Sequence, residues 1–247
     1  MSATGGQEGA MAMSGTGHAQ RHLDWDACDN VRDLGGLATA DGGRTRWRSV
    51  VRADTLARLS VGGQAALLAY GIGTIIDLRR ATERAADPCP FAAHPAISYH
   101  PHPLTDERHR RSRARIAAAP SILAQYRLVL EVGQRRIGGV MRAIAAAPEG
   151  GVLVYCHAGK DRTGLIAALL LDVAGVAREE IVADYMLTKA CLAPLRAQGR
   201  VRQSAVPEAM HGALAHLDRR FGGKTAYLAA AGVSASEVRQ LYHRLRT

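Results

Sequence analysis

Aromatic residues make up only 4% of this 247-residue chain, with two phenylalanines and two tryptophans. A sheet sandwich built on large rings is therefore excluded, and abundant Ala and Gly suggest close-packed helices instead. Cysteine is scarce and scattered: Cys28, Cys89, Cys156 and Cys191 form no CxxC pair. None has the spaced histidine partners of a zinc finger, so neither a structural metal nor a disulfide framework is expected. Long apolar runs are missing too. The longest, around Leu165–Leu171, is too short to cross a bilayer. The first twenty residues lack the basic start and apolar core of a cleaved signal. A cytoplasmic protein is expected, with export by a route without a cleaved signal left open.

What is present is positive charge. Thirty-two Lys and Arg against 22 Asp and Glu give +10, which favours anionic partners. Phosphate esters fit, and so does transient contact with anionic membranes. Nucleic acid would rest on net charge alone and is not expected. The hydrophobic fraction of 47% supports a buried core.

Residues 1–20 read as a disordered tail and residues 21–247 as one domain. Trp47–Ala53, Thr74–Arg79, Ile97–His100 and Val152–Tyr155 read as strands. Helical spacing covers Val61–Tyr70, Ser121–Glu131, Gln134–Ala147 and Thr163–Ala174. Strands alternating with helices imply an α/β fold with a mainly parallel sheet. After residue 178 the chain reads as helices only: Glu179–Ala190, Pro207–Phe221, Lys224–Ala231 and Ser234–Leu245. Residues 105–120 are strongly basic. If they are helical, Arg108, Arg111 and Arg115 share one face, which suggests a basic lid as readily as a solvated charge run.

The chemistry concentrates in one stretch, Gly151-Val-Leu-Val-Tyr-Cys-His-Ala-Gly-Lys-Asp-Arg-Thr-Gly-Leu165. It has the form strand, tight loop, helix, and it puts Cys156 at a strand's carboxyl end, where open α/β sheets bind ligands. Five residues separate Cys156 from Arg162. A loop of that length wraps a tetrahedral oxyanion with inward-facing N–H groups from His157, Ala158, Gly159, Lys160, Asp161 and Arg162. The helix that follows adds its positive end. Gly159 permits positive φ, and the Arg162 fork matches two phosphate oxygens. The same field favours a thiolate at Cys156, and Thr163 is placed to offer that sulfur a hydroxyl. A nucleotide-binding GxxxxGK[ST] loop is excluded, because Asp161 follows Lys160 and Val154 stands where the first Gly is needed.

The segment CHAGKDRTG resembles the CxxGKDRTG signature of atypical bacterial protein tyrosine phosphatases. Asn30–Gly36 (NVRDLGG), Val51–Leu59 (VRADTLARL), Ile76–Arg79 and Ala183–Leu187 (ADYML) resemble further segments of that family, so the likeness spans about residues 25–245. It implies a phosphatase-type α/β fold, no cofactor or metal, and a phospho-cysteine intermediate on Cys156 clamped by Arg162. Phosphotyrosine protein is the leading substrate class and phosphoinositide the runner-up, with Lys160 adding charge for a multiply phosphorylated head group.

The chain departs from related phosphatases at Tyr155, where His is common, and in lacking a Trp-Pro-Asp loop. By resemblance Asp161 is the leading general acid, followed by Asp77 and then Asp106. Asp77 serves equally well as a brace for Arg162 or a loop amide. Arg32, Asp33, Arg52 and Asp54 are expected to brace the pocket through ion pairs. Two rivals stay open, a phosphate-binding module detuned by Tyr155 and a sulfur-transfer enzyme. The phosphatase reading requires an accessible sulfur at Cys156 and an Arg162 guanidinium turned toward it.

Overall fold

The computed structural model describes residues 20–105, 110–199, 201 and 203–247. Residues 1–19, Asp106 and Arg108 thus lie outside the described residues. Five strands form the sheet: β1 (Arg32–Asp33), β2 (Val50–Ala53), β3 (Ile72–Asp77), β4 (Ser98–Pro101) and β5 (Gly151–Tyr155). Their order is β1-β2-β5-β3-β4, with only β1 and β2 antiparallel. β5 is therefore central, and its carboxyl end opens onto the loop that begins at Cys156.

Strand alternation explains which side chains meet. Val152, Val154 and Cys156 face one core with Val50, Ile76 and Ile166. Leu153 and Tyr155 face the opposite core with Val51, Ala53, Ile75 and Phe91. A parallel sheet buried on both faces requires apolar residues at successive positions, and GVLVY supplies them, every residue buried.

The described helices are α1 (Val61–Ala69), α2 (Ala81–Ala86), α3 (Arg110–Ala117), α4 (Ile122–Val132), α5 (Gln134–Ala145), α6 (Asp161–Val173), α7 (Arg178–Cys191), α8 (Ala193–Ala197), α9 (Pro207–Phe221), α10 (Lys224–Ala230) and α11 (Ala235–Leu245). From Thr163 to Leu171 every residue of α6 is buried, as befits a helix that is apolar all round. The helices after residue 178 pack beside the sheet against α4, α5 and α6. No helix among the described residues is long and apolar enough to cross a membrane.

Several elements depart from the sequence reading, which names neither β1 nor α8. Trp47–Ser49 is a turn rather than the start of β2, with Arg48 at φ 58°. β3 begins at Ile72 and ends at Asp77, so Arg79 lies beyond it and folds back. α2 was not foreseen. It is one short helix opened by a reciprocal cap in which Glu83 accepts from the Arg80 backbone N–H at 2.8 Å.

Candidate active site

The loop from Cys156 to Arg162 is held from behind by its carbonyls. Thr55 N–H donates to the His157 carbonyl (3.0 Å). The Asn30 side-chain amide donates to the Ala158 carbonyl (2.9 Å), and Arg52 Nη2 donates to the Gly159 carbonyl (2.8 Å). Fixing three successive carbonyls outward turns the peptide N–H groups to the other side. The N–H groups of residues 157–160 have no acceptor among the described residues. The first N–H groups of α6 extend that row of donors, because a helix's first turn has no internal acceptors. Gly159 adopts φ +64°, and a Cβ there would lie 2.6 Å from the Ala53 carbonyl oxygen. Both the backbone angle and the close approach demand glycine.

A buried cation cluster stands behind this loop. The Asp184 carboxylate accepts from Arg21 Nη1 (2.8 Å), Arg32 Nε (3.0 Å) and Arg52 Nη1 (2.6 Å), all about as buried as a side chain can be. Burial opposes the Asp184 charge, but the guanidiniums, Arg32 foremost, overrule it and hold the carboxyl well below the usual range. Burial, then repulsion from Arg32, pushes Arg52 down to about 10 despite Asp184. The cluster reaches the loop through Arg52, whose second nitrogen holds the Gly159 carbonyl.

Arg162 faces inward, with its side chain 19% exposed. Its Nη1 and Nη2 donate to Glu83 Oε2 (2.7 Å) and Oε1 (2.8 Å) as a parallel pair. Burial disfavours its charge, but the Cys156 sulfur and Glu83 hold its pKa above the ordinary value. Glu83 also accepts from Arg80 Nε at 2.9 Å. Burial would raise its carboxyl, and Arg162, then Arg80, hold it below the usual range. Sequence reasoning missed Glu83; its one signal was the Arg80–Glu83 cap spacing at the start of a short helix.

The remaining site residues distribute unevenly. Cys156 opens the loop but is only 2% exposed and packs in the apolar core, so the accessible sulfur expected from the sequence is not seen. Thr163 Oγ1 is buried with no hydrogen-bond partner. Asp161 is half exposed and accepts from Tyr126 Oη at 2.7 Å. It lines a pocket of about 190 Å³ with Arg162, Glu83, Arg80 and Tyr126. His157 is exposed. Lys160 is buried, donating to the Gln203 carbonyl at 2.8 Å with Asp161 3.6 Å away. It is therefore neither a solvated rim lysine nor an ammonium free to meet a second phosphate.

Asp77 does not reach Arg162. Fully buried, it accepts from Arg79, Tyr99 and Tyr155. With its carboxylate surrounded by donors on the sheet's other face, it serves the scaffold and is badly placed to protonate a leaving group. Tyr155 explains itself the same way: strand alternation carries its ring to the face opposite Cys156, where its hydroxyl anchors Asp77 and Arg79.

The expected braces work through different partners. Arg32 and Arg52 pair with Asp184, and Asp54 pairs with Arg58 (3.2 Å) while accepting from Cys28 Sγ (2.9 Å). Asp33 accepts from two backbone amides and the Tyr70 hydroxyl rather than from an ion-pair partner. In the basic segment Arg111 and Arg115 point to solvent, and Arg113 lines a second pocket beside the first. Among the described residues no three His, Cys, Asp or Glu side chains gather as a metal site.

Comparison with known proteins sets this geometry in context. A model of the tyrosine phosphatase family matches residues 23–247. A tyrosine-protein phosphatase of Nostoc commune is 35% identical over 215 residues, spanning 79% of this chain and 73% of that protein. The triple specificity protein phosphatase PtpB of Mycobacterium tuberculosis is 30% identical over 245 residues, spanning 84% and 86% respectively. The crystal structure of TpbA from P. aeruginosa covers 74% of this chain and 86% of its own, with TM-score 0.38 and 20% identity.

Proposed function

Since the chain belongs to the tyrosine phosphatase family and is accordingly a hydrolase, we propose that it cleaves phosphotyrosine through a phospho-cysteine intermediate on Cys156. The observation that carries this reading is the loop itself. Its carbonyls are tied outward, its N–H groups at residues 157–160 have no acceptor among the described residues, and the Arg162 charge and the helix end lie close by, which supports binding of a phosphoryl group there.

In the first step the Cys156 sulfur attacks phosphorus as the bond from phosphorus to the phenolic oxygen breaks. The leaving oxygen takes a proton from Asp161, which Tyr126 holds at the pocket wall. In the second step water attacks phosphorus, passing a proton to the Asp161 carboxylate, and the S–P bond breaks. Thr163 Oγ1, buried and unpartnered, is available to donate to the departing thiolate. Arg162 keeps its fork aligned on the equatorial oxygens because Glu83 grips the guanidinium's other edge.

Lys160 bears on the substrate. The phosphoinositide reading needs its ammonium in the pocket, whereas it donates to Gln203. That favours phosphotyrosine. Steady-state hydrolysis of an aryl phosphate, a phosphotyrosine peptide and a phosphoinositide by wild type and Cys156→Ser tests the proposal. Wild type should turn over the first two and the variant neither; retained turnover in Cys156→Ser removes the nucleophile assignment.

A further inference from the structure

A larger pocket of about 600 Å³ adjoins the one lined by Asp161 and Arg162, and the two share Arg80, Thr105, Ile116 and Gln125 as common walls. On its far side stands Arg113 of α3. Arg113 is half-buried, and among the described residues no carboxylate or other acceptor meets it. The contrast with its neighbours matters: Arg162 and Arg80 both already hold Glu83. Among the described residues Arg113 is thus a cation without a counter-charge, in a cavity that adjoins the pocket of Asp161 and Arg162. Ile116 and Ala117 give the same cavity an apolar wall.

We propose that this pocket is a specificity subsite for an acidic side chain of a phosphotyrosine peptide, with Arg113 as its recognition residue. The proposal rests on the phosphotyrosine reading above. A peptide strand advances roughly 3.3–3.6 Å per residue, so a residue beside the phosphotyrosine enters the adjoining cavity while the phosphoryl group sits in the Cys156 loop. The apolar wall suits the methylene stem of Asp or Glu, and Arg113 meets the carboxylate. An inositol ring, hydroxylated on every edge, has no comparable use for Ile116 and Ala117.

The test compares kcat/KM for four substrates: a small aryl phosphate, a phosphotyrosine peptide flanked by Glu, the same peptide flanked by Gln, and a short-chain phosphatidylinositol monophosphate. Wild type should prefer the Glu peptide by about three- to fivefold at low salt, the factor one partly exposed ion pair supplies. Added salt should shrink the preference. Arg113→Gln should bring the ratio to within about twofold, and Arg113→Glu should invert it.

Equal rates for the two peptides in wild type, or a preference untouched by either substitution, would overturn the subsite. Faster turnover of the lipid than of the Glu peptide would overturn the peptide assignment. Failure on the aryl phosphate itself would instead strike the phosphatase reading, so the two failures are told apart.

Discussion

Arg162 and Glu83 face each other edge to edge, two N–H donors onto two carboxylate oxygens at 2.7 and 2.8 Å. Seventy-nine residues apart in sequence, they meet because β3 and β5 are neighbours and the segment after β3 bends into α2. The pairing fixes the guanidinium plane before any substrate arrives. A clamp already oriented spends less binding energy on ordering itself when phosphate enters.

Glu83→Gln should therefore lower kcat/KM for aryl phosphate by about ten- to hundredfold, since a misplaced clamp costs rate more than fold. The pair also has a pH signature. The Glu83 carboxyl is held below its ordinary value, so its stabilisation is complete above the unfolded value of roughly 4.3 and is lost as pH falls through the depressed folded value. Melting experiments should show a constant gap between wild type and variant from about pH 5 to 8, narrowing below about pH 4.

Asp184→Asn removes the carboxylate that Arg21, Arg32 and Arg52 share in that buried cluster. Leaving buried guanidiniums uncompensated should destabilise the fold by about 3–5 kcal/mol, measured by urea unfolding at pH 7. Asp184 is also depressed, so its contribution is present above roughly pH 3.9 and fades as pH drops toward its folded value. A loss below about 1 kcal/mol would mean that the cluster relaxes or admits water.

Asp161→Asn should reduce turnover of phosphotyrosine by about a hundredfold or more. The deficit should shrink as the leaving phenol becomes more acidic, because such a phenol needs no proton. Tyr126→Phe, which deletes the 2.7 Å hydrogen bond to Asp161, should show the same leaving-group trend at smaller size. Measuring kcat across a series of substituted aryl phosphates separates this from general damage, which would lower all members alike.

Only Cys156 should react with iodoacetate near neutral pH. Burial, reinforced by Asp54, pushes the Cys28 thiol well up, and burial likewise raises Cys89 and Cys191. All three therefore stay protonated and slow. Peptide mapping after limited labelling should place the adduct on Cys156, and inorganic phosphate should slow it by occupying the loop.

The loop was legible because its chemistry is contiguous: nucleophile, amides, glycine, arginine and helix start lie within residues 156–164. The sheet was legible for a similar reason, since GVLVY is apolar at successive positions and Ile75-Ile76 mark the neighbouring strand. Glu83 was not, because its partner lies on a distant element and ATERAA carries no periodicity long enough to mark. The partners of Lys160 and Asp77 were not legible because side-chain direction depends on neighbours: Gln203 captures one, and Arg79, Tyr99 and Tyr155 the other. The face of Tyr155 was open to a period-two argument, which puts it opposite Cys156.

Trapping the covalent intermediate reaches the centre of this account. Wild-type protein mixed with an excess of 32P-labelled aryl phosphate is quenched within milliseconds, digested and mapped. Label should appear on the peptide holding residue 156, with the acid-stable, iodine-labile behaviour of a phosphothiol, and should be missing from Cys156→Ser treated the same way under those criteria. Hydrolysis proceeding at full rate with no label on that peptide at any time point would contradict it.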